Sequence, residues 1–459
     1  MVNESVIKYI IDFLIGVVRQ KGHKDNLYRY KYDLIGYTND PEKMKRYAIV
    51  IKPSGFFSHG IYGTEKAEPK EPLKTWEGIP LLFGEPFCEE LYDGKTLLIH
   101  ADIIASSFYL ISGYEEMTKR DIRDEYGRFP GICSLPYRAG FIDRPIVDEY
   151  GKKLREIITE RGLILSMNLK LENRPEKFMR VNLTHDIDQP YRYHSIRSVA
   201  RAVCKEGMNL FNALYRYMSS PFEDPYFTFN KILSWNDTAK EKVGHELINT
   251  IFFIKAQSND IHDKPNYRVR SAYMKKVISV IRNHKASLGI HFTFSAGLDP
   301  SLMVHEKRYL QKRIKGFDTN RSRHHFLCVR EPEDMVMMQN AGIKHDYTMG
   351  YADVAGFRLG TCRPVRFINP NVVGLTEIVM HPLYIMDYSL ASPKYMNMKE
   401  HEAEQYCKNI LDKVAKHNGE LNILWHNEVF SKDFEYGWLG ILYKKLLRHI
   451  VEIENIGKE

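Results

Sequence analysis

The sequence predicts an α/β protein in which a distorted (β/α) barrel follows a smaller α/β domain. A length of 459 residues predicts two domains, or one large barrel with an appendage, and 44% of the residues are hydrophobic, which is enough for a large buried core. From residue 178 onward, short apolar segments alternate with longer amphipathic segments. This alternation is typical of parallel strands joined by crossover helices. We therefore expect an N-terminal domain at 1–167, a linker at 168–177 and the barrel at 178–459.

The composition excludes several classes of protein. Aromatic residues make up 12% of the chain, and it contains only 20 Pro and 29 Gly, which excludes a disordered, collagen-like or low-complexity chain. The 66 Lys and Arg against 58 Asp and Glu give a net charge of +8, without long basic blocks. We therefore expect no nucleic-acid partner, although an anionic substrate remains compatible with the charge. Six cysteines without a CxxC pair predict free thiols in a reducing compartment.

The N-terminal domain begins with an apolar stretch at Val6–Val18, which Lys8 and Asp12 interrupt. Its helical spacing predicts a packing helix instead of a signal peptide or a membrane span, so we expect a cytoplasmic protein. Further strands are predicted at Tyr47–Lys52 and Thr96–His100, and further helices at Ile104–Met117 and Val147–Arg161. No chemistry is evident in this domain. Its charged residues are expected to form surface or interdomain ion pairs: Glu115, Glu116, Asp124, Arg128, Asp143 and Arg144.

The linker prediction rests on Asn168–Lys177, which is polar and contains a proline. Short apolar runs after it predict the barrel strands Met179–Thr184, Thr250–Lys255, Leu288–Phe292, His325–Val329, Ile343–Thr348 and Leu421–His426. Helices are predicted between them at Arg197–Met218, Tyr267–Asn283, Glu333–Asn340 and Glu402–Lys416. In such folds the chemistry lies at the carboxyl ends of the strands.

Polar side chains occur at several of these strand ends. Asp186 and Asp188 follow the first barrel strand, where one can bind a metal while the other acts as a base. The alternative is that Asp188 caps the next helix and Asp186 is a solvated turn residue. His291 and His426 each end an apolar strand, and Arg323 stands in the basic segment 321–325. Their shared position predicts a common site.

Other residues are candidates for binding the substrate. Tyr191 and Arg192 follow the aspartate pair, and such side chains stack on sugar rings or pair with phosphate and carboxylate groups. An exposed helix start is the alternative. Arg358 stands between two glycines, in a segment that predicts either a ligand groove or a turn. Asp346 lies near another strand end.

A family resemblance extends over most of the chain. In the second half it rests on LTHDIDQPYRY (183–193), INTIFFIKA (248–256), GIHFTFS (289–295), SRHHFL (322–327), AGIKHDYTMGYADVAGFRLGTCRP (341–364) and ILWHN (423–427). In the first half it rests on IPLLFGEPF (79–87), SSFYLISGYEE (106–116), RDEYGRFPG (123–131) and FIDRPIVDEY (141–150). Residues 178–430 resemble the polysaccharide deacetylase family of carbohydrate esterases. The whole chain resembles a two-domain bacterial branch whose N-terminal domain has no known function.

The resemblance implies roles for several of these residues. Asp186 corresponds to the catalytic base and Asp188 to a metal-binding carboxylate. The family's aspartates are adjacent, whereas Ile187 separates these two, so their roles could be exchanged. His291 corresponds to the first metal-binding histidine. Ser295 stands four residues later, where the family has its second histidine.

The missing imidazole would then come from His325 or His324. Arg323 corresponds to the arginine that positions the base, and His426 to the late histidine that acts as an acid. Asp346 would be the partner of an arginine.

The resemblance implies a metal-dependent hydrolase that removes N-acetyl groups from an acetamido sugar in glycan or surface polysaccharide metabolism. The implied cofactor is a divalent metal, zinc first, with cobalt, nickel or manganese as alternatives. A cytoplasmic location would suit a nucleotide-linked or lipid-linked substrate. Because Ser295 replaces a histidine, a non-catalytic glycan-binding protein on a degenerate barrel is one alternative. A metal-dependent phosphoesterase is another, because His185, Asp186 and the arginine-rich segment could serve a phosphate.

Overall fold

The computed structural model describes residues 3–16, 34–163, 176–329 and 335–456, and these residues form a mixed α/β structure. The predicted α/β class is confirmed. The predicted linker at 168–177 lies almost entirely outside the described residues, so the domain boundary stays a prediction.

The N-terminal region contains a four-stranded sheet and a separate hairpin. The strands are β1 Ile35–Tyr37, β2 Ile49–Ile51, β3 Lys74–Trp76, β4 Ile79–Leu81, β5 Gly84–Leu91 and β6 Thr96–Ala101. The sheet has the order β1-β2-β6-β5, in which only the β5–β6 pairing is antiparallel, and β3 and β4 form the hairpin. The helices are α1 Glu4–Ile15, α2 Pro41–Met44, α3 Ile103–Ile111, α4 Tyr114–Thr118, α5 Leu135–Arg138 and α6 Ile146–Glu160.

Local sequence signals explain the ends of these helices. Asn3 caps α1 by accepting the backbone N–H of Ser5 at 3.0 Å, and Gly16 ends the helix with a φ of 85°. The predicted packing helix is confirmed, although Val17 and Val18 lie outside the described residues. The predicted helix Ile104–Met117 is wrong in one respect: Gly113, with a φ of 66°, divides it into α3 and α4.

The second sheet has nine strands and carries the candidate site. They are β7 Arg180–Ile187, β8 Ile248–Lys255, β9 Ser287–Phe292, β10 Arg321–His324, β11 His345–Asp346, β12 Val365–Asn369, β13 Gly374–Met380, β14 Ile385–Met386 and β15 Glu420–Leu424. Their order is β12-β13-β11-β10-β9-β8-β7-β15-β14, and every pairing except β12–β13 is parallel. The edge strands β12 and β14 do not pair with each other, so the sheet of the described residues is open.

The sheet is strongly curved. Strands β7 and β10 are three positions apart, which corresponds to about 14 Å in a flat sheet. Nevertheless, the side chain of Arg323 on β10 donates to Thr184 and Asp186 on β7 at 2.9 and 3.0 Å. The curvature gathers side chains from distant strands on the concave side, as a half barrel does.

Helices connect and cover these strands. They are α7 Ile196–Cys204, α8 Leu210–Met218, α9 Phe229–Val243, α10 Ala272–Asn283, α11 Phe294–Leu298, α12 Leu302–Arg313, α13 Met337–Asn340, α14 Asp387–Ala391, α15 Glu400–Lys416 and α16 Trp438–Asn455. The described part of the chain includes no helix whose length and apolar character would let it span a bilayer.

Two predicted barrel elements are wrong. The predicted helix Arg197–Met218 is interrupted near Gly207, which has a φ of 69°, and becomes α7 and α8. The predicted strand His325–Val329 is replaced by a 3-10 turn after β10, in which Phe326 has a φ of 60°. The predicted helix Glu333–Asn340 is observed as the short α13, and its first two residues lie outside the described residues.

Candidate metal centre

Three potential metal ligands meet at the carboxyl ends of the curved sheet. Asp188 follows β7, His291 lies on β9 and His325 follows β10. Their ligand atoms all lie within 4.8 Å of one another. Nε2 of His291 is 3.3 Å from Oδ1 of Asp188, and Nε2 of His325 is 3.3 Å from Oδ2 of the same carboxylate. The structure thus brings together the three residues that the sequence analysis proposed as ligands.

In both imidazoles Nδ1, the nitrogen farther from Asp188, donates a hydrogen bond. Nδ1 of His291 donates to the carbonyl oxygen of Arg323 at 3.0 Å, and Nδ1 of His325 donates to Oδ1 of Asp263 at 2.8 Å. In a neutral ring this leaves each Nε2 with a free lone pair directed at Asp188. A histidine held by a carboxylate is a common arrangement behind a metal ligand.

The donor atoms also fit a cation because two of them lack partners. Nε2 of His291 and Oδ1 of Asp188 are buried and make no hydrogen bond within the described residues. Buried polar atoms without partners carry a desolvation cost of about 1–3 kcal/mol each. A divalent cation bound to both atoms would offset this desolvation cost. Two imidazole nitrogens with one carboxylate oxygen form a donor set of the kind that zinc prefers.

Asp188 lies in a strongly positive environment. Burial alone raises the pKa of this carboxyl, but its electrostatic interactions with His325, Lys255 and His291 outweigh burial and hold the pKa well below its ordinary value. Nζ of Lys255 is 3.9 Å from Oδ1 of Asp188, is itself buried and forms no hydrogen bond to any residue that the structure describes. The sequence analysis placed Lys255 only at the end of a strand. The sequence feature that could have indicated a role for Lys255 is its position as a lysine at the end of an otherwise apolar run.

Asp186 lies beside the ligand cluster and is held by Arg323. Nη1 of Arg323 donates to Oδ1 of Asp186 at 3.0 Å, while Nε donates to the carbonyl oxygen of Tyr347 at 3.0 Å. The guanidinium also packs on the ring of Phe253, 4.7 Å from its centroid. Oδ2 of Asp186 is 3.6 Å from Nε2 of His291. This fixed carboxylate therefore faces the same space as the metal ligands.

His426 approaches the cluster from the other side, beyond β15. Its Nδ1 is 2.9 Å from Oδ1 of Asp387, and its backbone N–H donates to Oδ2 of Asp387 at 2.7 Å. Nε2 of His426 is 3.5 Å from Oδ2 of Asp188. Burial lowers the pKa of His426, but the charge of Asp387 and the contact with Asp188 raise it well above its ordinary value. The sequence analysis missed Asp387, which lies at the start of the short helix α14.

These groups open into a pocket of about 340 Å³. Residues on its walls include Arg128, Asp186, Asp188, Tyr388, His426 and Glu428. Burial raises the pKa of Glu428 to about 7, and the hydroxyl of Tyr388 donates to its Oε1 at 3.1 Å. The volume matches the lower end of small-molecule sites.

The N-terminal region contributes one wall of this pocket. Arg128 forms the expected ion pair with Asp124, at 2.7 Å, and also donates to the carbonyl oxygen of Phe326 at 2.8 Å. The ring of Tyr126 packs on Phe326 with centroids 4.9 Å apart. Because a positive φ is strained in a residue other than glycine, Phe326 needs such support. Segment 124–128 thus holds the turn that begins with His325.

Ser295, at the position of the family's second histidine, and His324, the alternative to His325, both lie away from the ligand cluster. Oγ of Ser295 is hydrogen-bonded to Oγ of Ser258 at 2.8 Å. Nδ1 of His324 is 3.3 Å from Oγ1 of Thr348, and burial lowers the pKa of His324 to about 3. His185 is also buried away from the pocket, with Nδ1 2.7 Å from the carbonyl oxygen of Trp425.

None of the four proposed substrate-binding residues lies on the described walls of the pocket. Tyr191 packs edge-to-face on a neighbouring tyrosine, and Arg192 is within 3.4 Å of Glu206. Asp346 is fully buried and accepts a hydrogen bond from Ser322 at 2.9 Å.

Arg358 forms a buried two-point ion pair with Glu116 from the N-terminal region, at 2.9 and 2.6 Å. Its guanidinium is therefore used inside the protein and does not line a groove for a ligand.

The fold and the site define an α/β protein with a buried cluster of two imidazoles and two carboxylates. A model for a family of unknown function, DUF7033, matches residues 2–163, which is nearly the whole of the predicted N-terminal domain. No curated protein matches the chain. A solved structure, described as a putative polysaccharide deacetylase from Mycobacterium smegmatis, matches 61% of this chain and 91% of its own, with 11% identity and a TM-score of 0.37.

Proposed function

We propose that the protein is a metal-dependent hydrolase that removes the N-acetyl group from an acetamido sugar, on a half barrel of the polysaccharide deacetylase type. The observation that carries this proposal is the convergence of Asp188, His291 and His325, with unpartnered donor atoms, between Asp186 and His426. A cation site flanked by a fixed carboxylate on one side and a protonated imidazole on the other is suited to hydrolysis of an amide.

Asp188, His291 and His325 would hold the cation, for which zinc is the proposed metal. Bound there, it would act as a Lewis acid towards the acetamide carbonyl and lower the pKa of the attacking water. Asp263 and the carbonyl oxygen of Arg323 keep both imidazoles in the tautomer that presents Nε2. His325 supplies the imidazole that Ser295 lacks, which supports an intact site over a degenerate one.

Asp186 would serve as the general base. Its Oδ1 is occupied by Arg323, so Oδ2 faces the pocket and is the atom that would accept a proton from water. The hydrogen bond from the guanidinium fixes the orientation of the carboxylate. Arg323 therefore acts through Asp186, as a positioning residue.

His426 would serve as the general acid. Its Nδ1–H donates to Oδ1 of Asp387, so Nε2 is the atom that points into the pocket. The raised pKa of His426 keeps this nitrogen protonated at neutral pH, ready to donate to the departing sugar amine. General acid catalysis of this kind contributes about 10²–10⁴-fold to a rate.

The test is acetate release from acetamido-sugar oligomers, measured with bound metal, after chelation and after metal is restored. We expect activity only with metal. Asp186→Asn should keep the metal but lose about 10²–10⁴-fold in rate, whereas Asp412→Asn, at an exposed aspartate on α15, should match the wild type. Equal rates with and without metal would contradict the proposal. Turnover of a phosphodiester without acetate release would favour the phosphoesterase, and sugar binding without metal would favour a glycan-binding protein.

A further inference from the structure

Helix α8 exposes a face that an amphipathic helix normally buries. Of its nine residues only Ala213 is buried. Six large side chains face solvent, Tyr217 among them, and the other five have exposed fractions of 57, 80, 43, 64 and 81%: Leu210, Phe211, Leu214, Tyr215 and Met218. These five stand at positions i, i+1, i+4, i+5 and i+8, which is the spacing of one continuous helix face.

The preceding helix also begins with an exposed apolar residue. Ile196, at the first position of α7, is 79% exposed. We call the segment 196–218, which contains both helices, the α7–α8 hairpin. Scattered exposed apolar residues are normal, but a contiguous group of this size on one element marks a surface that binds something.

The charge of the same segment is strongly positive. Between residues 192 and 218 there is one acidic side chain, Glu206, and five basic ones: Arg192, Arg197, Arg201, Lys205 and Arg216. Glu206 is 3.4 Å from Arg192 and 3.3 Å from Arg201. In the described part of the chain no carboxylate pairs with Arg197 or Lys205, so both cations are available to an external anion.

Large apolar and aromatic side chains combined with uncompensated arginine and lysine suit one kind of partner. A helix with this composition lies in the interface of an anionic lipid bilayer, with the apolar side chains inserted and the cations at the headgroups. Tyrosine, which Tyr215 and Tyr217 provide here, favours the same interface because its ring is apolar and its hydroxyl is polar. A protein-binding surface is also enriched in aromatic residues, methionine and arginine, but it is usually depleted of lysine, so the exposed Lys205 favours the lipid surface.

The hairpin follows β7, at the carboxyl ends of the strands that carry the proposed metal centre. Helix α7 begins eight residues after Asp188, and Gln189 in the connection lies on the pocket wall. The connection is fixed because Asp224 accepts the backbone N–H of Arg192 and of Tyr193 at 2.8 and 2.9 Å. A surface that contacts the hairpin would therefore lie near the mouth of the pocket.

We propose that the α7–α8 hairpin docks the protein on an anionic lipid surface and thereby presents the pocket to molecules held at that surface. The docking itself does not depend on the deacetylase reaction, so the two proposals can fail separately. If both hold, the substrate is an acetamido sugar carried on a lipid.

The test is co-sedimentation of the full chain with vesicles of phosphatidylcholine alone, or with about 30 mol% phosphatidylglycerol, at about 0.1 M and 0.5 M NaCl. We expect binding to the anionic vesicles and weaker binding at high salt. The double variant F211S/M218S removes two exposed side chains, each of which would lose about tenfold in partitioning if fully inserted. We therefore expect at least a tenfold loss. V372S, at a residue that is 71% exposed between β12 and β13, should bind as the wild type does.

A charge reversal tests the cationic part separately. R197E/K205E should lose binding to anionic vesicles while acetate release from a soluble acetamido-sugar oligomer stays unchanged. The proposal is overturned if the wild type does not bind anionic vesicles, or if F211S/M218S binds them as well as the wild type does. It is also overturned if sedimentation velocity shows a dimer that F211S/M218S abolishes while vesicle binding persists, because the apolar face would then join two copies of the chain.

Discussion

The hydrogen bond between Asp263 and His325 offers a direct test of the metal centre. Asp263 is fully buried and accepts two hydrogen bonds at Oδ1, one from Nδ1 of His325 and one from the backbone N–H of Phe294, both at 2.8 Å. Burial raises the pKa of Asp263, but these two donors lower it to about 2, so the group is ionised at neutral pH. Asp263→Asn keeps the shape and one acceptor oxygen but removes the charge.

The expected effect follows from the change in that hydrogen bond. A bond to a charged acceptor contributes about 1.5–3 kcal/mol, and a neutral one about 0.5–1.5 kcal/mol. Asp263→Asn should therefore weaken the hold on His325 by about 1–2 kcal/mol, which corresponds to a five- to thirtyfold weaker affinity for zinc. Changing a residue that supports a metal ligand typically costs about 10–100-fold in affinity, which overlaps this range.

Competition with a chromophoric chelator measures this affinity, and circular dichroism checks the fold. The matched control is Asp224→Asn, because Asp224 is also buried, accepts backbone N–H groups and lies 3.3 Å from Nδ1 of a histidine, His194, outside the metal centre. We expect the control to keep the wild-type affinity. An unchanged zinc affinity in a folded Asp263→Asn protein would refute the assignment of His325 as a ligand.

Two further predictions concern stability. Relative to the wild type, the free energy of unfolding of Glu306→Gln should increase by about 3 kcal/mol as the pH rises from 4.5 to 7, because burial raises the pKa of Glu306 from 4.5 to about 7. Urea unfolding at a series of pH values measures the increase. Glu116→Gln should lose about 3–5 kcal/mol, because it leaves the buried guanidinium of Arg358 without its charged partner; urea unfolding at pH 7 measures the loss.

The sign of the first effect follows from proton binding. Below pH 4.5 the Glu306 carboxyl is protonated in both states. Between pH 4.5 and pH 7 the unfolded chain releases this proton while the folded chain retains it, so the free energy of unfolding of the wild type falls. A stability difference between variant and wild type that does not change with pH would contradict the raised pKa of Glu306.

For the ion pair between Glu116 and Arg358, the control is the double variant E116L/R358L, which should recover most of the lost stability. A Glu116→Gln protein whose free energy of unfolding is within about 1 kcal/mol of the wild type would contradict the buried pair.

The position of the site could be predicted from the sequence because parallel strands end at one edge of a sheet. Asp186, Asp188, His291 and His426 each come at or just after a short apolar run, and the structure brings them together. Of the residues that hold them, only Arg323 could be predicted, through the family resemblance. Asp387 does follow an apolar run, residues 383–386, but its contact with His426 spans 39 residues of sequence, and no local pattern indicates that pairing.

The wrong predictions also have physical causes. The segment His325–Val329 is apolar enough for a strand, but contacts from the distant residues Tyr126 and Arg128 hold Phe326 in a left-handed conformation that ends β10. Arg358 lies between glycines, which is typical of an open loop, yet its partner Glu116 is 242 residues away in sequence. Local patterns indicate elements, whereas these contacts depend on how distant elements pack.

The contact of Arg128 with Phe326 bears on how the protein can be divided in the laboratory. A fragment that starts after residue 163 would lack this guanidinium, and with it the donor for the carbonyl group next to His325. The strained turn would then be free to relax, and the imidazole would move away from the other ligands. A protein fragment that keeps the three candidate ligands together therefore needs both halves of the polypeptide, and an exchange of N-terminal halves between related chains would alter the shape of the pocket as well as its surroundings.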